Sequence, residues 1–366
     1  MKKHVIIEQC ALISALGTLQ ETSQHLLKGT SALKPAPCFD IPVAHAPFKD
    51  ITYRDLGTSF THLKKELHLV SIKHERTLFI YAAAKGDIRV LEPDENKTSA
   101  LNSPLLHKQA QKVVELLGIQ PAGSMVISNA CASGAVALSV AQSFLECECF
   151  SAAVIAGFDV ISHFVTSGFH SLGALSLTGA RPFDAQRDGL TLGDGAACVV
   201  LRYRQAQPGD IYIAGAAQSN DANHRTGPSR DGDGLHQAAL GALTNGRSSP
   251  QHIGAIKCHG TATVFNDAME AKAINRLFSN SPPPCFSVKG AIGHTSGAGS
   301  LIEVLLAEEF LRIKKVPPTV RFTNPDGEAL LPVSSKPQPF TNSSILCLSA
   351  GFGGLNAAVF LKEWDS

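Results

Sequence analysis

A candidate nucleophile, Cys131, lies at the junction of two short patterns of different character. The apolar run 125–127 predicts a buried strand, and the run of small residues that begins at Gly134 predicts a tightly packed helix. Cys131 is then expected on the turn between them, beside free backbone N–H groups and the positive end of the helix dipole, a position that favours the reactive thiolate. The alternative is a buried thiol that acts only as a small hydrophobe.

Two histidines further along the chain lie in glycine-rich segments suited to contact with a substrate. His259 ends the apolar run 253–258 and begins the sequence His-Gly-Thr-Ala-Thr, whereas His294 precedes an apolar helix predicted from about Ser300. Glycines allow positive φ and a close approach of the backbone to a ligand. A lone histidine is more often a surface or core residue, but two in such loops, together with Cys131, indicate a thiol enzyme.

The wider context of these residues resembles a known family. The matching segments are 129–134, 181–184 (Arg-Pro-Phe-Asp), 187–189 (Arg-Asp-Gly), 192–195 (Leu-Gly-Asp-Gly), 259–263, 289–299 and 351–356 (Gly-Phe-Gly-Gly-Leu-Asn). In this order they resemble the β-ketoacyl-acyl carrier protein synthase family, in the elongating branch with a Cys-His-His triad. The resemblance runs from about residue 125 to the C-terminus, with weaker matches at 5–7 and 16–17.

This resemblance implies a decarboxylating Claisen condensation. An acyl group would arrive on the phosphopantetheine arm of an acyl carrier protein and pass to Cys131, after which a malonyl thioester loses carbon dioxide and attacks the acyl-cysteine. His259 and His294 would be neutral imidazoles that donate N–H bonds to the negative charge on the thioester oxygen. No metal or nucleotide cofactor is implied, because the substrates are carried on the carrier protein.

The family pattern also implies supporting residues around the triad. Lys289 matches a lysine that orients a histidine, and Glu303 matches an acidic residue that could pair with Lys289; the other interpretation of Glu303 is an ordinary solvated helix charge. The backbone N–H groups of Cys131 and Phe352 would form an oxyanion hole. The Phe352 ring resembles a gate between the acyl and malonyl sides, and the alternative is that it fills core.

Five further residues are matched to the substrates by the same resemblance. Thr261 and Thr263 correspond to threonines that bind the pantetheine arm, and Phe169 corresponds to a residue of the acyl pocket. Ile161 and Phe164 are additional candidates for that pocket, although apolar residues at these positions are also what a core would contain.

The chain departs from the family pattern at two positions. Leu355 replaces a threonine whose hydroxyl would help to fix the C-terminal glycine-rich loop, and Gly173 replaces a basic residue often used to dock the carrier. The fallback candidates for carrier docking are Lys64, Lys65, Lys73 and Arg76. Residues 85–87 and 103–106, with the polar loop 92–99 between them, resemble synthases of aryl polyene and related pigment pathways.

The expected architecture is α/β and thiolase-like, with two similar βαβ-rich halves stacked as α-β-α-β-α layers. Apolar strands alternate with helical stretches, and a polar break at 204–210 divides the chain into an N-terminal half, 1–204, and a C-terminal half, 205–366. The family is dimeric, so a homodimer or a heterodimer with a related subunit is expected. The strand at about 152–156 is predicted to pair across the two-fold axis.

Composition agrees with an enzyme of the cytoplasm. The net charge of +1 gives no basic excess for nucleic acid, and no uninterrupted apolar run or N-terminal signal pattern predicts a membrane segment. Nine scattered cysteines favour reduced thiols over a disulfide framework. Cys147 and Cys149 lack a second pair at zinc-ligand spacing, so no metal site is predicted.

Three related functions remain as alternatives. A non-catalytic partner subunit of the chain-length-factor type would share the fold but normally lacks the nucleophile, so Cys131 argues against it. A thiolase would carry a second catalytic cysteine in the C-terminal loop, where this chain has Gly-Phe-Gly-Gly at 351–354. An initiating synthase would use Cys-His-Asn, which His294 disfavours. The partner-subunit alternative is the strongest, because catalytic residues can persist in a protein that needs a second subunit.

Overall fold

A computed structural model describes residues 3–38, 40–67, 69, 76–92 and 103–364. Its strands are β1 (Lys3–Ser14), β2 (Gly17–Thr18), β3 (Lys34–Cys38), β4 (Ile41–Ala46), β5 (Thr77–Ala82), β6 (Gly123–Ile127), β7 (Ala152–Asp159), β8 (Leu192–Gly193), β9 (Gly195–Gln205), β10 (Ile211–Asn220), β11 (Ala255–Lys257), β12 (Cys285–Phe286), β13 (Lys315–Val316), β14 (Gln338–Pro339), β15 (Ser344–Gly351) and β16 (Leu355–Glu363). Its helices are α1 (Leu19–Leu27), α2 (Leu56–Glu66), α3 (Leu106–Leu117), α4 (Ser133–Glu146), α5 (His163–Ser171), α6 (Asp233–Asn245), α7 (Val264–Leu277), α8 (Lys289–Ile292) and α9 (Ser296–Arg312).

Ten of the strands form two five-stranded groups with the same topology. The order in the N-terminal half is β6-β5-β7-β9-β1, and the order in the C-terminal half is β12-β11-β15-β16-β10. In each group the first three strands are parallel and the fourth is antiparallel to its neighbours. The groups join where β1 pairs with β10 at only two residue pairs. The predicted fold of two similar halves is therefore confirmed, whereas the boundary at residue 204 stays a prediction.

Helices cover both faces of each group, so three helical layers alternate with two layers of strands. Helices α4 and α9 pack against each other and against strands of both halves, so they form the central layer. On the outer faces, α2 and α3 cover the N-terminal strands, and α6 and α7 cover the C-terminal ones. This stacking places the strand ends of both halves beside the N-termini of α4 and α9, which is where α/β sheets generally bind ligands.

The strand expected at the dimer axis is in the wrong place for that role. Strand β7 contains residues 152–156 and is hydrogen-bonded on both sides, to β5 and to β9, so it has no free edge. The N-terminal group instead ends at β6, which in the described residues pairs only with β5. The prediction for residues 152–156 is therefore wrong, because strand order depends on long-range pairing that a local pattern does not encode.

The described helices also bear on the membrane question. None of them combines the length and the apolar character that a bilayer crossing requires.

Candidate active site

The turn that carries Cys131 is held by its own backbone and by close neighbours. Strand β6 ends at Ile127, and residues 130–132 form one short turn of helix before α4 begins at Ser133. Ala130 has φ +47°, an uncommon conformation for a residue with a side chain. The Ser133 hydroxyl donates to the Ala130 carbonyl at 2.6 Å and accepts from Asn129 N at 2.9 Å. These bonds keep Cys131 at the sharp strand-to-helix turn that the sequence predicts.

Both histidines reach the same place from the C-terminal half. His259 follows β11, and His294 lies between α8 and α9, just after Gly293 with φ +73°. Their ring centroids are 5.5 Å apart with nearly perpendicular planes, and both residues are buried. Backbone bonds fix His294, whose N–H donates to Thr191 O at 2.6 Å.

Most of the predicted site residues line one cavity of about 410 Å³. Its lining includes Cys131, His259, His294, Thr261, Thr263, Phe169 and Phe352. A thiol, two imidazoles and two hydroxyls therefore face a common space large enough for part of a thioester substrate.

Burial sets the protonation state of both imidazoles. Desolvation, reinforced by the charge of Lys289, lowers the pKa of His294 to about 3. The same two causes, in the same order, lower the pKa of His259 well below its usual value, and His294 and Lys257 add to the effect. Each ring is therefore neutral near pH 7, so it has one N–H that can donate a hydrogen bond and one nitrogen that can accept a proton.

The thiol behaves differently from the expectation drawn from the helix dipole. Burial raises the pKa of Cys131 to about 12, although the charge of Lys289 and a hydrogen bond from the Phe352 backbone N–H oppose that rise. The prediction of a resting thiolate is therefore wrong, because desolvation of the charged sulfur outweighs the favourable groups around it. Cys131 rests as a thiol, and its proton must leave as the nucleophile attacks.

The close approach of two backbone segments creates a possible oxyanion site. A Cβ atom at Gly351 would lie 3.2 Å from Cys131 N, so glycine is what lets the loop after β15 come this near. The Phe352 backbone N–H then points at the Cys131 sulfur. The C-terminal loop is fixed without the missing threonine hydroxyl, because Gly353 N donates to Arg225 O at 2.7 Å and Asp221 N donates to Gly354 O at 2.8 Å.

A buried ionic cluster lies directly behind His259. The ammonium of Lys289 donates to His259 O at 2.6 Å, lies 3.4 Å from His259 Nδ1 and pairs with one carboxylate oxygen of Glu303. The other oxygen of Glu303 pairs with Lys257. Glu303 is 3% exposed, which excludes the interpretation of a solvated helix charge. The two lysines lower the pKa of Glu303 against the opposing effect of burial.

Two residues of this site escaped the sequence analysis. Lys257 interrupts the apolar run before His259, a signal that could have marked it as a buried cation. Glu270, on α7, accepts the backbone N–H groups of His259 and Gly260 at 2.6 and 2.8 Å and so holds the histidine loop. Burial raises the pKa of Glu270 to about 7. The sequence gives a weaker signal for Glu270 than for Lys257, because an acidic residue on a helix is usually solvated.

Three of the five residues predicted to contact the substrates line the cavity, and two do not. The hydroxyls of Thr261 and Thr263 are 3.0 Å apart, and the rings of Phe169 and Phe352 are in contact with centroids 5.4 Å apart. Ile161 is buried in an apolar cluster with Leu190 and Phe169, which line the cavity, but Ile161 itself does not line it. Phe164 is 63% exposed and does not line it either. The pocket assignment of these two residues stays a prediction.

Three of the four candidates for carrier docking, Lys64, Lys65 and Arg76, do not line the cavity. Lys64 and Lys65 are in the last turn of α2, on the outer layer of the N-terminal half, and Arg76 lies over the ring of Phe150. Lys73 and loop residues 93–99 fall outside the described residues. Gly173 lines the cavity with φ +61°, and a Cβ atom there would meet no other atom within 4 Å.

Comparisons with known proteins agree with this geometry. Residues 88–206 match the N-terminal domain of beta-ketoacyl synthase and residues 211–323 match its C-terminal domain, together more than half of the chain. A 3-oxoacyl-[acyl-carrier-protein] synthase 2 from Staphylococcus aureus (strain COL) is 31% identical over 70% of this chain. The aligned region spans 65% of that relative's own length. The chain therefore belongs to the beta-ketoacyl synthase family.

Solved structures add evidence for the fold. A beta-ketoacyl synthase from Burkholderia phymatum STM815 has a TM-score of 0.87 at 23% identity, covering 99% of this chain and 100% of the other. A chain of the complex between a ketosynthase and its chain length factor from Xenorhabdus doucetiae has a TM-score of 0.84 at 24% identity, covering 99% of this chain and 98% of the other. These likenesses show that the whole described chain has a ketosynthase fold.

Proposed function

We propose that this protein is a β-ketoacyl-acyl carrier protein synthase that catalyses a decarboxylating Claisen condensation in fatty acid, polyketide or aryl polyene-like biosynthesis. The observation that carries the proposal is one cavity in which the Cys131 thiol faces two imidazoles held neutral by burial. Membership of the beta-ketoacyl synthase family supports it.

The first step is acyl transfer to Cys131. The sulfur attacks the carbonyl carbon of an acyl thioester on the phosphopantetheine arm, while one of the neutral imidazoles accepts the thiol proton. The backbone N–H groups of Cys131 and Phe352 stabilise the tetrahedral oxyanion. Collapse of this intermediate breaks the bond to the pantetheine sulfur, which leaves with the proton, and the acyl group stays on Cys131. Thr261 and Thr263 are proposed to bind the arm.

The second step forms the new carbon–carbon bond. The malonyl thioester loses carbon dioxide, and the electron pair of the broken bond becomes an enolate whose oxygen accepts N–H bonds from His259 and His294. The enolate carbon attacks the acyl-cysteine carbonyl, and Cys131 leaves as a thiolate. This thiolate takes a proton from solvent, because the original thiol proton left with the pantetheine sulfur in the first step. The two imidazoles supply the charge stabilisation, so we propose that no metal or nucleotide cofactor takes part.

Intact-mass spectrometry after incubation with acyl-loaded carrier proteins of several chain lengths tests both steps. We expect an acyl adduct on the wild type and on Cys147→Ala, which removes an exposed thiol outside the cavity, but none on Cys131→Ala. His294→Ala should still form the adduct but lose condensation with malonyl carrier by about a hundredfold or more, since it removes one donor to the enolate oxygen.

The outcomes separate the competing functions. Acylation of Cys131→Ala at the wild-type rate would contradict the nucleophile assignment. A wild type that takes up no acyl group from any donor would favour the partner-subunit alternative, in which a second chain carries the chemistry.

Partners are proposed on the same basis. The name of the Staphylococcus relative supports an acyl carrier protein as the donor. The chain length factor bound to the Xenorhabdus ketosynthase supports a related subunit as one possible partner, and a homodimer is the other. We propose that either dimer forms through the edge of β6, where Met125, Val126 and Ile127 are only partly buried.

The cytoplasm is proposed as the location because the nine cysteines are all free thiols.

A further inference from the structure

Lys257 occupies a core position on the strand that leads to His259. Alternate residues of this segment face opposite layers: Ala255 packs in the central cluster, whereas Ile256 and Cys258 pack in the outer C-terminal cluster. Lys257 therefore points towards the central layer, at a position where the pattern calls for an apolar side chain. It is 0% exposed.

The Lys257 ammonium bonds to two groups inside the protein. It donates to Leu348 O at 2.7 Å and pairs with Glu303, whose other oxygen pairs with Lys289. One buried carboxylate thus bridges two buried lysines, and Glu270, whose pKa burial raises to about 7, also acts on both of them. Desolvating an ammonium is costly, and an apolar replacement of a buried ion pair is often neutral or stabilising, so folding by itself does not explain this lysine.

The geometry links Lys257 to the reacting atoms through two other side chains. Lys289 can hold the His259 carbonyl and approach His259 Nδ1 only while Glu303 stays in place, and Lys257 is the second anchor of Glu303. We infer that Lys257 is a positioning residue for the condensation: it anchors Glu303, and through Glu303 it holds Lys289 at His259. This inference rests on the proposed function for its kinetic part only.

Ionisable groups from each surrounding element face this cluster and its histidines. They are Lys289 from α8, Glu303 from α9, Glu270 from α7, Cys347 from β15, Cys131 from the turn before α4, and Asp159 from β7, which acts on Cys131. Lys257 is among the charges that lower the pKa of both His259 and His294. Removing that positive charge must therefore move both imidazole pKa values upward.

The test compares Lys257→Gln, which can still donate a hydrogen bond to Leu348 O, with Lys257→Arg, which keeps the charge. Histidine-labelled protein is titrated by NMR over the acidic range in which it stays folded, and single-turnover condensation is measured from enzyme already acylated at Cys131. We expect Lys257→Gln to raise the imidazole pKa values by about one unit and to slow condensation by about ten- to a hundredfold, with loading nearly unchanged. Lys257→Arg should restore the imidazole titration.

Two further variants make the result interpretable. Lys314→Gln removes a lysine paired with Glu363 away from the cavity and should leave titration and condensation unchanged. If Lys257→Gln does not fold, Lys257→Met is used instead, because methionine is an apolar side chain of similar length. A folded variant with wild-type imidazole titration and wild-type condensation overturns the inference. If instead the wild type never condenses but the imidazole pKa values still rise, the proposed function fails and the charge role of Lys257 stands.

Discussion

At the scale of single residues, burial changes the pKa values of the site residues more than the neighbouring charges do. Burial keeps His259 and His294 neutral, and the same burial keeps Cys131 protonated. A buried thiol beside a neutral imidazole can transfer its proton as the sulfur attacks, so the site needs no thiolate at rest.

The raised pKa of the thiol predicts how free Cys131 reacts with an alkylating agent. Burial raises the pKa of Cys131 to about 12. Below this pKa the fraction of thiolate increases about tenfold for each unit by which the pH rises, so the alkylation rate should increase steadily from pH 7 to pH 9 without a plateau. Peptide mass spectrometry of iodoacetamide-treated protein measures the rate at Cys131 separately from the exposed Cys147 and Cys149. A plateau below pH 8 would show that the charged neighbours outweigh burial.

At the scale of elements, the site depends on how closely α4 approaches α9. A Cβ atom at Gly134, in the first turn of α4, would lie 2.4 Å from the backbone nitrogen of Leu301 on α9. Glycine therefore sets the distance between the helix that follows Cys131 and the helix that carries Glu303. The small residues in the sequence of α4 predict close packing, and the structure identifies α9 as the partner helix.

Substituting this glycine should separate the two helices. Gly134→Ala is expected to lower the free energy of unfolding by about 1–3 kcal/mol, because the new methyl group meets backbone that cannot rotate away. Gly168→Ala is the matched control, since Gly168 is also helical and a Cβ atom there meets nothing within 4 Å. The control should be neutral or more stable by up to about 1 kcal/mol. Equal denaturant midpoints for both variants would contradict this account of the packing.

At the scale of the whole molecule, two halves with the same strand order meet over a shared helical layer. Cys131 comes from one half and both histidines from the other, so the cavity exists only when the halves are stacked. The N-terminal group ends at β6, the strand that leads to the nucleophile. Dimerisation at this edge would therefore bring a second subunit next to the turn that carries Cys131.

The β6 edge predicts the effect of a charge on assembly. Sedimentation of the wild type should give twice the 38.6 kDa protomer mass, and Val126→Lys should shift it towards the monomer, because a lysine on an edge strand opposes strand pairing. Leu240→Lys, an exposed apolar residue on α6, is the control and should leave the mass unchanged. A wild-type monomer at micromolar concentration would contradict the homodimer and leave the heterodimer, whereas a Val126→Lys dimer would contradict the proposed interface.

The sequence by itself determined the local parts of the site. The strand-to-turn-to-helix setting of Cys131 and the glycine-rich segments around His259 and His294 follow from short-range preferences, and the structure has β6, α4 and β11 at those places. The order of these segments was also enough to identify the family and hence the layered fold.

Only the tertiary structure decided what each residue meets. Among the described residues, the N-terminal group of strands ends at β6 and not at β7, Phe164 is exposed, Glu303 is buried between two lysines, and Cys131 is protonated at rest. Strand order, burial and charge pairing join residues far apart in the chain, so no local pattern contains them. Desolvation in particular is a property of the assembled layers, and it sets the chemistry of the thiol and of both imidazoles.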